Sequence, residues 1–316
     1  MSDLLFDRIV SIDWSGAGKE EDDVDLLVVI YETETDSPSI LGSPSGPHWS
    51  RIACRHWLVG QLKQTLRILI VMDFSFGLPW NSDKAVFGVT GWRPMVERLA
   101  GLYQQYGTAR ATAIAINDFH KFGGHGPYRF DEGRSDFRFY VNHKVGYFRL
   151  TDLASPQAIS QWYMGSGGKV GFHTITGLST IHHLMVCRDQ REIDFVVWPH
   201  ESFTPDGSKH VIAESYPAIC PSLRCPHCET PYAKRSSKGK YEPRLCEKCK
   251  KPGPWIDVHQ EDAWRALQSL ISAQKNGTLH SLFELPEHPF GRYVDIDYHE
   301  QIKFEGYLLG LNSVDV

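Results

Sequence analysis

Residues 67–73 read Arg-Ile-Leu-Ile-Val-Met-Asp, five large apolar residues in succession closed by an acid. A short unbroken apolar run with polar flanks marks a strand buried on both faces, and such strands belong to α/β proteins. Working outward, residues 8–13 (RIVSID) and 210–215 (HVIAES) repeat the pattern, and both carry an acid at the end. Residues 24–31 (VDLLVVIY) and 193–198 supply two further strands. Residues 51–54 are read as a short third strand, and the Ser-, Gly- and Pro-rich stretch 38–47 as a loop. Helical spacing follows at Trp57, Leu58, Leu62 and Leu66, over 92–106 after Gly91, and over 181–187. From Asp257 onward, Ala263, Leu267, Leu270 and Ile271 mark one face of a last long helix that ends near Asn276-Gly277.

The chain has 316 residues, 41% hydrophobic and 22% charged, which is enough to bury a sizeable core. The expectation is one domain over 1–316 with two insertions. The first, 119–149, holds nine aromatic and six basic residues without a sustained period and reads as loops and short strands. The second, 221–254, contains most of the local positive charge. Between Cys225 and Pro252 eight basic residues face three acids, although the whole chain carries a net charge of −5. That overall balance argues against a chain-wide nucleic-acid trap and leaves room for a local basic patch. No apolar run approaches the length of a membrane span, and Asp3 and Asp7 interrupt the region where a secretory leader would be apolar. No membrane partner and a cytoplasmic location are expected.

Four of the seven cysteines form Cys225-x2-Cys228 and Cys246-x2-Cys249. Each Cys-x2-Cys turn aims two thiolates at one point, and two such turns complete a tetrahedral four-sulfur shell suited to zinc. A shell closed by four cysteines has no open position for a substrate, so its zinc is expected to be structural. His227 lies inside the first turn and is left out of the shell.

Asp13, Asp73 and Glu214 each close a strand, and Asp262 sits near the start of the last helix. Acids at the C-terminal ends of neighbouring strands converge on one sheet edge. Clustered carboxylates repel one another unless cations intervene, and their hard oxygens suit Mg2+ or Mn2+. Two such ions can activate water and stabilise the leaving oxygen of a phosphodiester, so a metal-dependent nuclease is expected. Ser15 and Ser75 lie two residues beyond Asp13 and Asp73 and are expected to hydrogen-bond the carboxylates. Asp257 is expected to cap the last helix.

Taken in order, Asp13-x-Ser-Gly, Asp73-x-Ser-x-Gly-Leu-Pro, Glu214-Ser-Tyr-Pro-Ala, Asp262-Ala263 and Glu305-Gly306-Tyr-Leu-Leu-Gly310 resemble the DUF429 family, grouped with RNase H-like nucleases. The resemblance spans nearly the whole chain outside the two insertions, with Tyr307 standing where the family carries tryptophan. It implies an RNase H-like mixed sheet of strand order 3-2-1-4-5 flanked by helices, with the zinc-ribbon-like module inserted. Asp13 and Asp73 would then be neighbours. His259-x-x-Asp262 is also similar to the last motif of RuvC-type resolvases. That similarity implies Asp262 as a metal ligand and His259 as the residue that positions or activates water, with Glu214 assisting.

Three other readings fail, two of them on spacing. Gly18-Lys19 lacks the glycine five residues earlier and the Ser or Thr that a phosphate loop needs. Ser75-x-Gly77 is preceded by Asp73 where a nucleophile elbow needs glycine. An actin-like kinase would need a second phosphate loop. The competing expectation is an RNase H-like module without catalysis that binds nucleic acid, DNA or RNA, or protein through its basic zinc ribbon.

Overall fold

The computed structural model describes residues 5–44, 46, 48–120, 126–130, 138–155, 158–165, 170–205, 207–225, 227–232, 245–251, 253, 258–285 and 297–311. The first part of the chain runs β1 (Arg8–Asp13), β2 (Leu27–Glu32), β3 (Ser37–Leu41), α1 (Arg51–Leu62) and β4 (Ile68–Met72). Helices α2 (Ser82–Ala85), α3 (Trp92–Tyr106), α4 (Ala109–Phe119), α5 (Arg138–His143), α6 (Leu150–Leu153) and α7 (Val170–Asp189) follow. Strands β5 (Phe195–Trp198) and β6 (His210–Glu214) then precede α8 (Val258–Lys275) and α9 (Tyr298–Glu305).

The strands form one six-stranded mixed sheet of order β3-β2-β1-β4-β6-β5. Pairings β1–β2 and β2–β3 are antiparallel, whereas β1–β4, β4–β6 and β6–β5 are parallel. The expected order 3-2-1-4-5 is therefore corrected. Its first four places hold, but β6 lies beside β4 and β5 is added outside it as an edge.

The third strand is also not where the sequence suggested. Residues 51–54 open α1, because Ser50 caps that helix by accepting from the Ala53 N–H at 3.1 Å. The strand instead lies within the stretch expected to be loop, at Ser37–Leu41. It is an exposed edge strand with no buried face to leave an alternating pattern, and an edge tolerates Pro38.

Because successive strand residues point to opposite faces, the sheet sorts its apolar residues into two layers. Val10, Ile12, Ile70, Met72 and Ile212 pack under α1, α3 and α7. Ile9, Leu69, Val71, Val211 and Ala213 pack under α8 through Ala263, Trp264, Leu267 and Leu270. Helix α7 is buried nearly all round, so it lacks the one-sided period that would mark its full length. Residues 138–143 are helical where loops and short strands were expected. No helix among the described residues is long and apolar enough to cross a membrane.

Candidate metal centre and the carboxylate edge of the sheet

In the β1–β4 register Ile12 lies beside Met72, and the Asp73 N–H donates to the Ile12 carbonyl at 3.0 Å. Asp13 and Asp73 therefore follow as neighbours at the C-terminal edge of adjacent strands. Alternation from Val10, Ile12 and Met72 puts both on the α8 side of the sheet. Helix α8 packs across β1 and β2 and brings Asp262 to the same edge. Burial pushes the Asp73 carboxyl well above the ordinary carboxylate range, and the charges of Asp13, Asp262 and Glu214 push it further. The four acids singled out in the sequence thus share one electrostatic neighbourhood. Asp13, Asp73 and Asp262 do not, however, form a tight ligand group. Among the described residues the one His, Cys, Asp or Glu set with all its donor atoms within 4.8 Å of one another is the four cysteines.

Glu214 departs from its expected role. Met72 pairs with Glu214, so parity sets it one residue out of step with Asp73 and on the opposite face. Both of its oxygens are engaged by Arg149, Nη1 to Oε2 and Nη2 to Oε1 at 2.7 Å each, and Oε2 also accepts from the Phe76 N–H. Asp152 holds the other side of the guanidinium at 2.9 Å. Arg149, Glu214 and Asp152 are 1%, 3% and 5% exposed, so this is a buried ion-pair triad. Burial opposes the Arg149 charge, but Asp152 and Glu214 together hold its pKa well above the usual arginine value. Glu214 is a fixed partner of a cation already present in the chain, and we correct its assignment as a helper of metal chemistry.

Other quoted motifs meet at the same place. A Cβ on Gly77 would lie 2.3 Å from the Glu305 carbonyl oxygen, so only glycine lets the two segments touch. The Leu309 N–H donates to the Glu214 carbonyl. The buried Glu305 carboxylate accepts from the Leu150 N–H at 2.8 Å, the Trp80 N–H at 2.6 Å and the Gln301 amide at 3.1 Å. Even so, burial pushes its carboxyl from 4.5 up to about 7. The folded chain then keeps a proton that the unfolded chain has released, so this group's contribution to stability falls as pH rises from 4.5 to about 7. Glu305→Gln is expected to flatten that part of the melting temperature against pH, and an unaltered slope would contradict the assignment.

The Ser75 hydroxyl accepts from the Gln161 amide at 3.0 Å, and the Ser15 carbonyl accepts from Arg51 at 3.1 Å. The Ser75 hydroxyl thus meets an amide where a carboxylate was expected, whereas the Ser15 contact is made by its backbone. Asp257 and the side chain of His259 lie outside the described residues. A cavity of about 220 Å³ opens beside Asp73, lined also by Arg149, Gln161, His173, Glu214 and Ser215. Arg149, Gln161 and His173 carried no sequence signal for this place. Arg149 sat inside an aromatic and basic stretch, and its i,i+3 spacing to Asp152 is commonplace on helices.

The four cysteines meet as the two Cys-x2-Cys turns required. Sulfurs of Cys225 and Cys249 are 3.5 Å apart, as are those of Cys228 and Cys246. A tetrahedral ion with metal–sulfur bonds near 2.3 Å needs sulfurs roughly 3.8 Å apart, so small adjustments accommodate it. The two turns are built alike. The Glu229 N–H donates to the Cys225 carbonyl and the Lys250 N–H to the Cys246 carbonyl, each at 2.8 Å. Glu229 and Lys250 both take positive φ, 55° and 58°, just after the second cysteine of each pair. Leu223, Cys225, Tyr232 and Cys246 pack into the same core as Trp264 and Leu267. The Gln268 side chain brackets the Arg224 backbone, accepting from its N–H at 3.1 Å and donating to its carbonyl at 3.3 Å. The module therefore braces α8, the helix that carries Asp262, rather than displacing it.

No protein-family model, curated protein or solved structure matches this chain.

Proposed function

We propose that the chain is a metal-dependent nuclease of RNase H-like architecture with one added edge strand, in which Asp13, Asp73 and Asp262 hold divalent cations. The observation that carries this reading is the β1–β4 register, which sets Asp13 beside Asp73 on the face covered by α8 and Asp262. The DUF429 resemblance adds to it. Mg2+ or Mn2+ at this edge would supply charge neutralisation and a water made acidic enough to attack a phosphodiester. The chain's own part is to hold three carboxylates of like charge in one neighbourhood at the sheet edge, where a bound cation would relieve their repulsion. His259, one helical turn before Asp262, is the residue proposed to position water. The zinc proposed for the cysteine shell is structural and steadies α8.

The test is cleavage of single- and double-stranded DNA and of RNA in Mn2+ or Mg2+. Asp13→Asn and Asp73→Asn are each expected to lower cleavage at least a hundredfold, about 2.7 kcal/mol of transition-state stabilisation. Cleavage that survives both substitutions would overturn the reading.

A further inference from the structure

We propose that the cavity of about 220 Å³ beside Asp73 seats a single nucleobase carrying an exocyclic amino group, adenine, guanine or cytosine, from the substrate strand. This rests on the nuclease reading and names what that site recognises.

Size comes first. The space is smaller than the roughly 300–1,000 Å³ that drug-sized ligands occupy, and fits one flat heterocycle. It opens beside the acid proposed to hold a cation, so a base within it would leave its own phosphate near the sheet edge. Bases taken out of their stack for chemistry are held in pockets of this kind, against aromatic and apolar walls. Phe74, Ile159, Val170 and Leu308 supply such walls here, and Tyr216 adds a second aromatic ring.

Charge decides which part of a nucleotide enters. Three carboxyl groups, Asp73, Asp152 and Glu214, line the cavity against one guanidinium. Arg149 is already committed on both sides of its fork to Asp152 and Glu214. A phosphate or carboxylate entering the cavity itself would meet these carboxyl groups and find the Arg149 guanidinium already taken. A neutral ring rich in N–H donors would meet acceptors.

The hydrogen-bond inventory points the same way. Gln161 is 1% exposed and Ser215 7%, and both line the cavity. The Gln161 amide nitrogen is spent on the Ser75 hydroxyl, while its Oε1 and the Ser215 Oγ are buried with no hydrogen-bond partner among the described residues. Buried polar atoms are nearly always paired, so two such oxygens at one cavity mark a place where a guest completes the set. The terminal torsion of Gln161 is soft, which lets its oxygen turn to an arriving amino group.

Adenosine, guanosine, cytidine, uridine and thymidine are titrated separately into the full-length chain without added Mn2+, followed by calorimetry and saturation-transfer NMR. At least one of adenosine, guanosine and cytidine is expected to bind saturably, at least tenfold tighter than uridine or thymidine. Ala158→Phe, which fills the cavity from a half-buried wall, is expected to weaken that binding at least tenfold with an unchanged circular dichroism spectrum. Val170→Phe does the same from another wall should the first variant not fold. Gln161→Leu is expected to erase the preference for amino-bearing bases. Absence of saturable binding, equal affinity for uridine, or full binding by a folded cavity-filled variant overturns the inference. Mn2+-dependent cleavage and its loss in Asp13→Asn judge the nuclease reading separately, since nucleoside binding needs neither cation nor turnover.

Discussion

Arg149→Met is expected to lower the melting temperature by on the order of 10 °C, following from a cost of about 3–5 kcal/mol for breaking a buried ion pair. The size comes from what is left behind. Glu214 and Asp152, 3% and 5% exposed, would lose a guanidinium that meets both at 2.7–2.9 Å. Neither could regain water without opening the joint between β6, α6 and the C-terminal end of α9, where Arg149 also donates to the Glu305 carbonyl at 3.2 Å. Methionine fills much of the volume, so the loss reports stranded charge more than a cavity. Arg149→Lys keeps the charge but not the two-pronged geometry and is expected to lose less. Adding Glu214→Gln to Arg149→Met removes one stranded charge and should recover part of the difference, which a double-mutant cycle reads directly. An Arg149→Met protein that melts with the parent would show that the triad does not hold this joint.

A metal ion lost from the cysteine shell is expected to cost still more locally. Structural zinc sites contribute about 10–16 kcal/mol of apparent binding energy in isolated zinc-finger peptides, an upper bound for a module braced by a larger core. Protein purified without chelators is expected to carry one zinc per chain by elemental analysis. Cys228→Ser or a strong chelator should release it. The melting temperature should then fall, because Cys225 and Cys246 are buried in the core that includes Trp264 and Leu267. If α8 is braced as described, the same treatment should also depress any Mn2+-dependent cleavage through Asp262. Full metal content and unchanged melting in Cys228→Ser would remove the shell from the account.

Much of this was legible residue by residue. Strands at 8–13, 67–73 and 210–215 and the helix over 92–106 stand where their local patterns put them. The cysteine spacing named its own cluster, since two tight turns bring sulfurs together whatever surrounds them. Strand β3 was missed because an exposed edge strand buries no face, and a Ser- and Pro-rich composition then reads as loop. The first turn of α1 was misread because Arg51-Ile-Ala-Cys54 is too short for a period to appear, and its deciding signal, the Ser50 cap, is a single residue.

The sequence alone determined that acids close three buried strands and that four cysteines face one another, because strand period and turn geometry act within a few residues. Only the tertiary structure decided which acids share a face and which one is neutralised. Asp73 and Glu214 differ by one step of register between strands distant in the chain. Arg149, 65 residues before Glu214, reaches it through contacts that no local pattern encodes. Pairing of charges in a core is set by where the chain crosses itself, whereas the supply of those charges is written along it.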